Sequence, residues 1–191
     1  MRLLMVLVLV STPSLAQQTT EAQFPTTDEI NLVVSQAERA FAQYKGSVLM
    51  ERALESSKRD PASLKKDEEV VELSQKLVAG LTKNPNAFHG LGGFLLLSSL
   101  DDASRNAALC STAGAAEIAK GVIDHADPKE AYQTMTVIQN CSDVSLHLYT
   151  VSESVHALMV RELEAQQDLN NKAMEMVTKC TQLMKNPPKS N

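Results

Sequence analysis

Residues 128–186, PKEAYQTMTVIQNCSDVSLHLYTVSESVHALMVRELEAQQDLNNKAMEMVTKCTQLMKN, decide the fold, because after Pro128 they contain neither glycine nor proline. A breaker-free run with apolar residues at helical period reads as α-helix. Val144, Leu148, Val151, Val155 and Leu158 keep a 4, 3, 4, 3 spacing. After the polar Glu162 the stripe resumes at Ala165 and Leu169, slips by one residue, and continues as Ala173, Met176, Cys180 and Leu183. The slip, beside Asp168 and Asn170-Asn171, predicts a bend between two long antiparallel helices. A second kink is expected across Asn140–Asp143.

Upstream, the chain punctuates itself with helix starts. Thr26 and Glu29 have the spacing of a capping box, in which each side chain satisfies a free amide of the other. Behind it Ile30, Val34, Ala37, Phe41, Tyr44 and Val48 recur at 4, 3, 4, 3, 4, carrying a helix to about Ser57. Gly46 weakens that helix without ending it. Asp60-Pro61 opens the next, which packs through Val70, Leu73, Leu77, Val78 and Leu81 and stops at Asn84-Pro85. Residues 86–100 are apolar on most sides and read as a short buried helix entered through Gly90, Gly92 and Gly93, with a buried strand as the alternative. Asp101 or Asp102 is expected to cap a further helix to about Asp124. Its small face (Ala103, Ala107, Cys110, Gly114, Gly121) invites a close neighbour. Asp127-Pro128-Lys129-Glu130 then starts the final stretch. The fold class is all-α: an irregular multi-helix bundle of about six helices with long antiparallel C-terminal helices. No internal repeat is present.

Composition agrees. With four Phe, three Tyr and no Trp, the core must be filled by Ala, Leu, Val and Met, which suits closely packed helices better than a β-sandwich. Met50, Met135, Met159, Met174, Met176 and Met184 are expected to fill gaps between helices.

Residues 1–16 have the three parts of a secretory leader: basic Arg2, the apolar run Leu3–Val10, and small residues Ser14 and Ala16 before a cut. The apolar run is too short to span a bilayer, which needs roughly 20 residues. Segment 17–25 reads as a flexible lead-in, 26–186 as one α-helical domain and 187–191 as a disordered tail. Cleavage after Ala16 leaves 175 residues, and the loss of Arg2 takes the net charge from −5 to −6. An acidic chain with dispersed Lys and Arg is not a nucleic-acid binder. The longest later apolar run, Phe94–Leu97, has four residues, so no transmembrane segment is expected after leader removal. The expected location is periplasmic or secreted.

Export gives the three cysteines meaning, because disulfides form outside the cytosol. If 102–124 and 128–140 make a helical hairpin turning near His125-Ala126, Cys110 and Cys141 lie 16 and 15 residues from Ala126, at one height on facing helices. The small face around Cys110 permits the short Cα separation a disulfide demands. Cys110–Cys141 is the expected pair. Cys180, on the apolar stripe, is then a free and buried thiol, with an intermolecular link or a reactive thiol as the sharper alternative. The absence of C-x-x-C excludes thioredoxin-type redox chemistry and c-type haem attachment.

The candidate chemistry is sparse. Glu153 and His156 form E-x-x-H, half of the motif with which helical di-iron proteins hold metal; such a centre needs a second copy and two further Glu. They are the metal-ligand candidates, on the flank of the Val151–Val155–Leu158 line. His147 is out of phase with His156 and cannot share its ion. Ser63 and Lys66 match S-x-x-K without its companion motifs, and read as a solvated helix start. His89-Gly90-Leu91-Gly92-Gly93 has the composition of an oxyanion loop but lacks the G-x-S-x-G that would use it. Asn140-Cys141-Ser142 is a sequon by pattern alone. No catalytic residue and no cofactor is expected. The function expected is an exported, non-enzymatic binding or interaction module with a protein partner. The alternatives are a periplasmic inhibitor or immunity-type protein and, behind it, a helical metal binder using Glu153 and His156.

Overall fold

The computed structural model describes residues 22–55, 61–123 and 127–185, with side chains placed for 22–49, 68–121 and 127–185. The leader 1–16, most of the lead-in, the turn at His125-Ala126 and the tail 187–191 lie outside the described residues. Four long helices make up the rest: α1 (Thr27–Glu55), α2 (Pro61–Lys83), α3 (Leu91–Ile123) and α4 (Pro128–Lys185), with a 3₁₀ turn at Pro85–Phe88. The protein is all-α.

α1 starts at the expected capping box. The Thr26 amide donates to Glu29 Oε2 at 2.8 Å and the Glu29 amide to Thr26 Oγ1 at 3.3 Å. The whole predicted stripe from Ile30 to Val48 is buried. α2 returns antiparallel, so that Val48 and Leu49 lie by Val71 and Glu72. Its inward line is Val71, Ser74, Val78 and Leu81, with Val70 and Leu77 partly buried beside it. Leu73, expected in the core, is 65% exposed; with Val71 and Val78 inward, a residue two past Val71 points away.

Pro85 cannot continue α2, and the chain folds into the 3₁₀ turn, whose Phe88 is fully buried in the end of the bundle. Gly90, at φ +76°, reverses the chain into α3. Gly92 then passes so close to the turn that a Cβ there would lie 1.8 Å from the Ala87 carbonyl oxygen. The glycines thus serve a tight reversal, as expected, but the short separate helix does not exist. α3 runs unbroken through Asp101 and Asp102, and Leu91, Phe94 and Leu95 are exposed. The reason is visible in the buried line Leu96, Leu100, Ala103, Ala107, Cys110, which keeps 4, 3, 4, 3 straight across the Asp pair. An Asp pair lowers helix propensity slightly and breaks nothing that packing supports.

α4 is likewise one continuous helix of 58 residues, about 87 Å along its path, interrupted neither at 168–171 nor at Asn140–Asp143. The long antiparallel pair is therefore α3 with α4, rather than two helices within 128–185. Four facing pairs fix its register: Asp101 with Ser152, Ser104 with Ser145, Cys110 with Cys141, and Gly114 against Ile138. α1 neighbours α2 and α4, and α2 neighbours α3, while α2 and α4 stand diagonally across the core. This is an up-down-up-down bundle.

The helices are unequal, and that inequality shapes the molecule. The main core joins all four helices and ends near Ala107 and Val144; beyond it Cys110, Val137 and Cys141 form a small cluster between α3 and α4 alone. At the opposite end α4 overruns the bundle. Ala165 is its last buried residue, and every residue from Leu169 to Lys185 is exposed.

Candidate interaction surfaces along α4

Three regions of α4 carry chemistry. The first is the seam with α3. Ser104 Oγ donates to the Ser145 carbonyl at 3.0 Å and Ser145 Oγ to the Ser104 carbonyl at 3.0 Å. One turn on, Ser152 donates to Asp101. Small hydroxyls let the backbones approach while keeping every polar atom engaged. Beside this ladder opens a shallow cleft of about 460 Å³, lined by Leu97, Asp101, Arg105, Tyr149, Glu153 and His156 among others. The structure therefore brings Glu153 and His156 to one surface, both exposed. Asp101, the other carboxylate lining the cleft, is engaged by Ser152. Among the described residues no group of three or more His, Cys, Asp or Glu is placed to hold a metal ion. His147 is half-buried elsewhere on α4, and Ser63 and Lys66 belong to α2 with side chains outside the described set.

Further along the seam, Cys110 and Cys141 stand at disulfide distance, with Cα atoms 6.1 Å apart. The equal-arm argument placed them together. Gly114 extends the close approach, since a Cβ there would lie 2.5 Å from Ile138 Cγ1.

The second region is a polar knot where α4 leaves the bundle. Arg161 donates to both carboxylate oxygens of Glu29, which also accepts from the amide and hydroxyl of Thr26. These bonds hold the Glu29 carboxyl at about 2, Arg161 first and Thr26 second, against a small opposing effect of burial. Reciprocally, Glu29 raises the Arg161 guanidinium. Next to it His89 Nδ1 lies 3.3 Å from Glu162 Oε1, so the residue considered for an oxyanion loop instead ties the 3₁₀ turn to α4. Sequence reasoning found the cap at Glu29 but not Arg161, and it missed the serine ladder. The one signal for the latter was a Ser next to each buried position Val144 and Val151.

The third region is the overhanging arm. Leu169, Met174, Met176, Val177, Leu183 and Met184 are 51–75% exposed. Cys180, expected to be buried, is a free and exposed thiol. Met135, Met174, Met176 and Met184 fill no gap either; among the described side chains only Met159 packs against the core, and that of Met50 lies outside them. The stripe was read correctly as a stripe, but the body of the protein ends before reaching it. No helix among the described residues is long and apolar enough to cross a membrane. Comparison with protein-family models, with curated proteins and with solved structures finds no match.

Proposed function

We propose that this protein is an exported, non-enzymatic interaction module that presents the C-terminal arm of α4 to a protein partner outside the cytosol. The observation that carries the reading is the arm itself. An apolar stripe at helical period stands clear of the bundle, with Leu169, Met176 and Leu183 more than half exposed on it and Val177 and Met184 more than half exposed along its flank. Contiguous apolar surface of this kind marks interaction sites, whereas scattered exposed leucines do not. Export is supported by the leader-like residues 1–16 and by a cysteine pair at disulfide distance, which persists outside the cytosol. The cleft at Glu153 and His156 offers two donors on an open surface, too few for a metal centre.

The test is site-specific photo-crosslinking in the intact, full-length protein. A photoreactive residue at Met176 or Leu183 is expected to form one discrete protein adduct, while the same group at the exposed Leu91 on the body forms none. Adducts absent from both arm positions, or equal at Leu91, would overturn the reading.

A further inference from the structure

We infer that the partner seated on the α4 arm is a second copy of this chain, its own arm running antiparallel to the first. The inference rests on the reading of the arm as an interaction surface, and names its occupant. Leu169, Ala173, Met176, Cys180 and Leu183 keep a 4, 3, 4, 3 spacing, the alternation that fills the seam of a two-helix coiled coil. Their sizes choose the orientation. In the antiparallel register that sets Ala173 against the partner's Met176, Cys180 falls against the partner's Leu169. Small then meets large in each of these layers, and two-fold symmetry repeats both. A parallel pair would stack alanine on alanine and leave that layer underpacked.

Charge points the same way. Asp168 and Lys172 pair with each other at 2.9 Å, which leaves Glu164 beside Glu162 at the base of the arm and Lys179 and Lys185 around a single Glu175 on its outer part. Antiparallel mates lay an acidic base along a basic tip, and parallel mates oppose like with like. Val177 and Met184 widen the seam on one flank, where Met184 faces the partner's Leu163. Each arm then has on the order of 600 Å² of apolar surface to bury, close to the half-share of a small stable interface. The two bodies sit at opposite ends and do not collide.

This register separates Cys180 from its symmetry mate and places it beside the partner's Leu169, which makes the test specific. Sedimentation of the full-length protein is expected to show a dimer that dissociates on dilution and is not covalent in the wild type. Under mild oxidation Leu169→Cys should convert most of it to a covalent dimer on a non-reducing gel, and adding Cys180→Ser should abolish that band. Met176→Glu with Leu183→Glu should give monomers whose four-helix bundle keeps its melting midpoint, since neither side chain touches the core. A wild-type Cys180–Cys180 crosslink, or a dimer that survives the double Glu variant, would overturn the proposal. A wild-type monomer whose arm still crosslinks to a different protein overturns self-pairing and leaves the interaction reading standing. A monomer with no arm crosslinks overturns both.

Discussion

Arg161 and Glu29, 132 residues apart in sequence, meet in a two-point ion pair with Nη1–Oε1 at 2.8 Å and Nη2–Oε2 at 2.5 Å. The carboxylate that caps the first helix is thereby also the one that anchors the last. Both side chains keep more than a third of their surface in water, so salt should weaken the tie.

Its pH signature has a definite sign. The folded-state Glu29 carboxyl titrates at about 2, below its ordinary 4.5. The pair therefore contributes fully above pH 4.5, and its contribution is lost as pH falls toward 2. Glu29→Gln should lower the melting midpoint at pH 7 and flatten the acid limb of a stability–pH curve in that window. An unchanged acid limb in thermal melts between pH 5 and pH 2 would contradict the assignment.

Glycine-to-alanine changes should act with opposite signs at two sites. At Gly92 the new methyl would meet the Ala87 carbonyl at 1.8 Å, a backbone atom that cannot step aside, so Gly92→Ala should cost at least about 3 kcal/mol or prevent folding. At Gly80, in the interior of α2 with nothing within 4 Å, Gly80→Ala should stabilise by up to about 1 kcal/mol. Denaturant titration of the two variants side by side checks the contrast.

Linking Cys110 to Cys141 closes a loop of 31 residues, for which chain entropy gives about 3–4 kcal/mol. The pair sits in a cluster separate from the main core, so its loss should be felt unevenly. In Cys110→Ser/Cys141→Ser, amide exchange is expected to accelerate in 110–123 and 128–141 well before it does around Phe41 and Leu148. Non-reducing peptide mapping should recover the 110–141 link and leave Cys180 alkylatable in the native state.

Ser104 and Ser145 each donate to the other's backbone carbonyl, so the two bonds form one unit. Either single Ala variant should cost about 1 kcal/mol, and the double variant less than the sum. Additive losses in a double-mutant cycle would show that the hydroxyls act independently.

The legible part of this fold was whatever local periodicity and capping dictate. The Thr26–Glu29 box, the α1 stripe, the tight reversal at Gly90–Gly93 and the Cys110–Cys141 register could all be read, because each depends on neighbours in sequence or on one hairpin. The failures share a cause as well. Asp101-Asp102 looked like a boundary, yet weak local preference against helix yields where a buried line such as Leu96–Cys110 continues through it; at Asn170-Asn171, where α4 is exposed from Leu169 onward, the helix continues on its own propensity. At Leu73 the error was one of phase, two residues past the inward Val71, whereas at Met174, Met176 and Cys180 it was about neighbours. Periodicity reveals that a face is apolar, but only the relative lengths of the helices decide whether anything lies opposite. Arg161 left no trace in the sequence, since a surface-period Arg looks the same whether or not it grips a carboxylate 132 positions away.

The overrun of α4 past Ala165 also sets a thermodynamic linkage. Outward from Leu169 the helix has only its own propensity to hold it, about five turns of backbone with no tertiary support. The bundle has already nucleated this helix, so the arm can form, but it should fray from Lys185 inward. Whatever covers the apolar stripe then adds its binding energy to the arm's stability, and the order of these last turns becomes a function of that occupant's concentration. The tip of α4 thus reports occupancy: its amide exchange rates should fall on association, while those of the core stay where they are.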